Sequence, residues 1–167
     1  MMAFSHMVIG ASSWAVVAKI FGLPPADPAM VGMAAFGALL PDIDHPGSWV
    51  GRRFQVISVP LALVIGHRGV THSLIATGAL AVVLYFYGLG MIIAPLLIGY
   101  ASHLAADSLT PSGVPWLWPW KRTFSLNLFR TGSFTEYLLT TFLATIGSWA
   151  FGIERIRLPL IKLGLPF

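Results

Sequence analysis

The chain has 167 residues, of which 56% are hydrophobic and only 10% charged, with a mean hydropathy of +0.80 and a formal net charge of +4. A soluble domain carries about 25% charged residues, so this composition excludes a soluble enzyme, a disordered tail and an ordinary DNA-binding module. Cysteine is absent, which removes disulfides, thiolate metal sites and cysteine nucleophiles. What remains is a single domain over residues 1–167 embedded in a lipid bilayer, with its basic excess suited to an anionic leaflet.

Apolar segments separated by Gly, Pro and charge run over Met7–Leu23, Ala29–Leu40, Phe54–Gly66, Leu74–Tyr87, Met91–Ala106 and Tyr137–Phe151. The first has no Lys or Arg before it and is interrupted by Lys19, so it reads as a retained helix and not a secretory signal. All fall below the roughly 20 residues that span an average bilayer. Pro24–Pro25 and Gly88–Leu89–Gly90 predict tight turns between antiparallel helices. Phe54–Gly66 is short, contains Pro60 and follows Arg52–Arg53, which predicts a re-entrant or partly inserted segment. The fold expected is an all-α polytopic membrane bundle of about five crossing helices plus that segment. Trp116, Trp118 and Trp120, in the long polar stretch 108–135, suit the interfacial aromatic belt, and the basic–apolar tail from Glu154 suits the membrane surface.

The ionisable groups are few and sorted. Threading the helices puts His6, Asp42, Asp44, His45, His67, His72, His103, Asp107 and Glu136 on one side, and leaves Asp27 and Glu154 on the other. Ionisable groups in a membrane are costly and mark function. His103 and Asp107 are four residues apart, so one helix face carries both. Asp42 and Asp44, one residue apart between two prolines, would point the same way from an extended chain. Imidazoles and carboxylates without thiolates suit zinc, with manganese or iron as alternatives, and the number of donors allows one to three ions. Arg68, beside Thr71 and Ser73, is the candidate to hold a phosphate through its planar fork. No His-Glu-x-x-His or Gly-x-Ser-x-Gly motif is present.

At Leu40–Pro41–Asp42–Ile43–Asp44–His45, at 66–73 (GHRGVTHS) and at 103–113 (HLAADSLTPSG), the chain resembles the YdjM-type family, described as membrane-bound metal-dependent hydrolases. The likeness runs from His6 to the helix after Glu136. More distantly, the residue order is similar to the zinc-dependent phospholipase C and nuclease superfamily. That resemblance implies His6, Asp42 or Asp44, His67 or His72, His103 and Asp107 as ligands, and phosphodiesters as the substrate class.

The expected function is therefore a hydrolase of an ester or phosphodiester bond in a phospholipid or lipid-linked phosphate. Asp44 or Glu136 would take the proton, while Arg68, Thr71 and Ser73 would bind substrate. Membrane lipids are the expected partners, and no nucleic acid is expected. The alternative is a metal-ion or proton-coupled transporter that uses the same residues as a relay. A cytoplasmic (inner) membrane of a prokaryote is the expected location. The Lys and Arg count near helix ends puts the site side in the cytosol and the C-terminus outside.

Overall fold

The computed structural model describes residues 1–65, 69–120 and 122–162, without the side chains of 65 and 153–162. Six α-helices appear there: α1 (Ala3–Ile20), α2 (Pro28–Gly37), α3 (Gln55–Ile65), α4 (Leu74–Phe86), α5 (Gly90–Ser108) and α6 (Phe134–Lys162). Two short 3-10 turns, Leu40–Asp44 and Val70–His72, join them. Extended pairing among the described residues is limited to an isolated bridge between Val114 and Phe124.

Local chemistry sets the boundaries. Pro28 starts α2, and the Asp27 carboxylate accepts from the amides of Ala29 and Met30 at 2.9 and 3.1 Å, which satisfies donors that a helix start leaves open. Ser73 caps α4 by accepting from Ala76 N. α1 begins at Ala3, so His6 sits inside its first turn and not at its start. α6 runs through residues 154–162, where the sequence predicts a separate surface tail from Glu154.

The sequence predicts about five crossings. Among the described residues two helices, α1 (18 residues) and α5 (19 residues), are long and apolar enough to cross a bilayer. α2 and α4 have 10 and 13 residues, and at 1.5 Å per residue even the longer reaches only about 20 Å of a roughly 30 Å hydrocarbon layer.

α1 packs against α2, α5 and α6, and α2 and α4 pack against α5. The α1–α2–α5 contact is close because glycines stand in it. A Cβ on Gly99 would lie 1.9 Å from the Ala34 carbonyl oxygen, and one on Gly10 would lie 2.7 Å from Ala38 Cβ. Gly10 is one turn after His6 and Gly99 one turn before His103. The backbone approach they permit, typical of helix packing in membranes, draws the two imidazoles together.

The interior holds ionisable groups beside apolar residues such as Ile9, Trp14 and Leu104. His6, Asp44, His72, His103, Asp107 and Glu136 are at most 1% exposed, while Val56, Leu63, Val64 and Phe86 are 80–91% exposed. Such an apolar exterior around ionisable groups suits lipid as the solvent.

Candidate metal centre

Four elements converge at one end of the bundle. α1 supplies His6, the Leu40–Asp44 turn supplies Asp42 and Asp44, the Val70–His72 turn supplies His72, and α5 supplies His103 and Asp107. The rings of His6 and His103 stack with centroids 3.7 Å apart. His72 Nε2 and His103 Nε2 stand 3.3 Å apart. Asp42 Oδ1 lies 3.8 Å from each of those two nitrogens. Asp107 Oδ2 is 3.9 Å from His103 Nε2, and its Oδ1 is 3.3 Å from His6 Nε2. The 42–45 region and the 103/107 pair are thus within reach of shared ions.

Protonation states follow from the outer partners. His103 Nδ1 is 2.7 Å from the Ala38 carbonyl oxygen. A carbonyl only accepts, so Nδ1 carries the proton and Nε2 of the neutral ring presents a lone pair. The Thr71 hydroxyl donates to Asp44 Oδ2 and stands 3.1 Å from His72 Nδ1, with Asp44 itself 3.6 Å from that nitrogen. The Thr71 oxygen, whose proton goes to Asp44, accepts from His72 Nδ1, so the Nε2 lone pair of His72 faces His103. Two lone pairs at 3.3 Å repel unless a cation or a proton lies between them. Two imidazole nitrogens bound at about 2.0–2.1 Å by one tetrahedral zinc are about 3.4 Å apart.

Other features fit the same group. His6 is 1% exposed, and neither of its ring nitrogens makes a well-formed hydrogen bond, a costly state for a buried imidazole. Two sets, His6–Asp42–His103 and His72–His103–Asp107, have ligand atoms within 4.8 Å of one another and could each hold a metal ion. The donors are nitrogen and oxygen only, the borderline set that suits zinc, manganese or iron. A ring N–H held by an outer acceptor, the Ala38 carbonyl for His103 and the Asp44-bound Thr71 hydroxyl for His72, is the usual support of a ligating histidine.

The remaining predicted residues fall elsewhere. Asp42 and Asp44 do not point the same way. They lie in a 3-10 turn begun by Pro41, not in an extended chain, and at three residues per turn positions i and i+2 diverge. Asp42 faces the Nε2 pair, and Asp44 faces Thr71 and the far side of His72. His45 is exposed beside Asp42 and lines a polar groove of about 270 Å³ with Met1, Ala3, Ser48 and Trp49. Glu136 is buried, but it accepts from the amides of Met2 and Gly132, each at 2.8 Å. Ser73 is occupied in capping α4 and donating to the Val70 carbonyl. His67 and Arg68 lie outside the described residues.

Three participants escape the sequence reading. The Tyr100 hydroxyl donates to the Thr71 carbonyl, fixing the turn that carries His72. Tyr100 precedes His103 by three positions, so helical spacing is a signal that could find it. The Ala38 carbonyl and the Met1 ammonium, which donates to Asp107 Oδ1 at 2.6 Å, leave no side-chain signal.

The comparisons with known proteins agree with this setting. A family model described as "YdjM inner membrane protein" matches residues 1–164. Inner membrane protein YdjM of Escherichia coli (strain K12) is 45% identical over 103 residues, covering 58% of this chain and 53% of that protein. The chain thus spans about half the length of that relative. YvsG of Bacillus subtilis (strain 168) is 37% identical over 142 residues, 81% of this chain and 84% of its own. Inner membrane protein YbcI of Escherichia coli (strain K12) is 35% identical over 92 residues, covering 50% and 49%. No solved structure matches.

Proposed function

The chain belongs to the YdjM inner membrane protein family, and on that premise we propose that it is a membrane-embedded metal-dependent hydrolase of an ester or phosphodiester bond in a lipid-like substrate. The observation that carries the reading is the facing Nε2 pair of His72 and His103, 3.3 Å apart and buried among His6, Asp42 and Asp107. Those five residues would hold one or two divalent ions, zinc first by donor type. A bound ion of this kind acidifies water and neutralises charge developing on a phosphoryl or carbonyl oxygen. Asp44, through Thr71, orients His72.

Access supports hydrolysis over transport. Asp42, 17% exposed, is the one member of the five above 1%, and it lines the groove that also holds His45 and Ser48. The groove would admit the polar head of a substrate to the ion that Asp42 helps to hold. Toward the opposite end, α1 and α2 close on an apolar cluster of Trp14, Ala18 and Ala34, which offers no relay of ionisable groups. In the bilayer, α2, α4 and the 137–151 part of α6 would complete about five crossings, the short ones in a locally thinned bilayer. In the sequence threading, Arg52, Arg53, Arg68, Lys121, Arg122 and Arg130 fall on the site side against Lys19, Arg155, Arg157 and Lys162 on the other, which favours a cytosolic site.

Elemental analysis of the detergent-purified chain, together with hydrolysis of a generic phosphodiester and of mixed phospholipids, tests the reading. The expected result is at least one tightly held divalent ion, lost in His103→Ala, and turnover abolished by a chelator and restored by zinc or manganese. Metal flux into proteoliposomes without turnover would replace the hydrolase with a transporter. A metal-free protein would overturn both.

A further inference from the structure

A second site lies outside the metal cluster, on the loop between α5 and α6. Trp116, Leu117, Trp120, Arg122, Thr123 and Phe124 line a cavity of about 510 Å³, within the size range of small-ligand pockets. We propose that this cleft binds one anionic phospholipid of the surrounding leaflet, with its phosphate on Arg122 and its glycerol and upper acyl chain against the aromatic wall.

The cleft is built on anchored backbone. Val114 and Phe124 exchange two backbone hydrogen bonds of 3.0 and 2.9 Å, which close the loop at its base. The Trp116 indole donates to Ser108 Oγ at 2.9 Å, and the Trp116 carbonyl accepts from Leu74 N at 3.0 Å. These contacts tie the cleft wall to the start of α4 and the end of α5. Trp116 also packs on the buried Tyr100–Leu104–Val114 cluster.

The lining is amphipathic. Leu117, Trp120 and Phe124 are 60%, 67% and 53% exposed, an unfavourable wall for an aqueous solute but a suitable one for glycerol and methylene groups. Tryptophan favours the headgroup level of a bilayer. The other arginines with described contacts are used within the fold. Arg52 donates to the Gly47 carbonyl, and Arg53 donates to the Trp49 carbonyl while lying over the Trp49 ring. Among the described residues no carboxylate or carbonyl takes the Arg122 guanidinium, so its fork is available for phosphate oxygens. The charge complement is thus an anion attached to an apolar body, and the family's inner-membrane setting makes the lipid the occupant in reach.

The test uses the detergent-purified full chain and quenching of tryptophan emission by brominated phosphatidylglycerol or brominated phosphatidylcholine. The difference between wild type and Trp120→Phe isolates the cleft signal. Phosphatidylglycerol should quench that signal at lower mole fraction than phosphatidylcholine, and inorganic phosphate at equal concentration should not displace it. Arg122→Gln should weaken the phosphatidylglycerol response about five-fold, the value of one basic residue near an anionic surface, without altering the phosphatidylcholine response. Arg122→Lys, which keeps the charge but not the fork, should fall between. Equal quenching by the two lipids, an unchanged response in Arg122→Gln, or displacement by a short single-stranded oligonucleotide would overturn the proposal.

Discussion

α3 and α5 are both apolar helices with an internal proline, Pro60 in one and Pro95 in the other, yet they meet opposite fates. α5 is gripped by α1, α2 and α4 and buries His103 and Asp107 almost completely. α3 packs mainly against the Leu40–Asp44 turn and leaves Val56, Leu63 and Val64 more than 80% exposed. The contrast teaches that apolarity alone does not decide burial in this protein: α3 offers its apolar side chains outward, while α5 buries apolar residues such as Leu96 and Leu104 together with His103 and Asp107. Gly99 gives α5 a flat face for α2, and no described glycine plays that part in α3.

Breaking the grip on α5 should have the largest effect. Gly99→Val puts carbon where the Ala34 carbonyl lies, and overpacking of this kind costs about 3 kcal/mol or more. Thermal unfolding in detergent should shift down by about 10 °C, and a melt within 2 °C of wild type, on the order of measurement scatter, would refute the close α2–α5 contact. His103→Ala removes a central donor and the ring stacked on His6, so metal affinity should drop by at least about 100-fold, the upper end for supporting partners of metal ligands. Unchanged metal content by mass spectrometry would remove α5 from the site. Asp44→Asn retains shape and weakens only the support of His72, so the expected loss is about 10-fold, the lower end for supporting partners of metal ligands.

On the other helix the expected changes are small. Because the chain has no cysteine, a single Leu63→Cys carrying a spin label reports its surroundings in proteoliposomes. Relaxation should be stronger by oxygen than by a water-soluble nickel complex, with metal content unchanged. The reverse ranking would place α3 in water and dissolve the comparison. Pro60→Ala should alter metal content least of all, since α3 supplies no candidate ligand.

Legibility in the sequence varied with the range of the interaction. The His103–Asp107 pair was readable because helical spacing alone puts both on one face, and the structure has them 3.9 Å apart. The Asp27 cap is equally local, since Asp-Pro before an apolar run signals a helix start. Asp42 and Asp44 misled because proline neighbours suggest extended chain, whereas Pro41 here opens a 3-10 turn and sends the carboxylates apart. Glu136 reads as a candidate base, yet one of its oxygens accepts from the local Gly132 amide and the other from Met2, 134 residues away, a contact that no local pattern encodes.

The residues by themselves determined an all-helical chain suited to lipid, a shortage of charge, and the concentration of imidazoles and carboxylates near segment ends. These are consequences of composition and of 3.6-residue periodicity, both local properties. Only the tertiary structure decided that His6 stacks on His103, that Ala38 and Thr71 turn the His103 and His72 lone pairs toward each other, and that Asp42 alone of the five opens to a groove. Those outcomes depend on how closely three helix backbones approach, and that distance is set by packing among residues far apart in the chain.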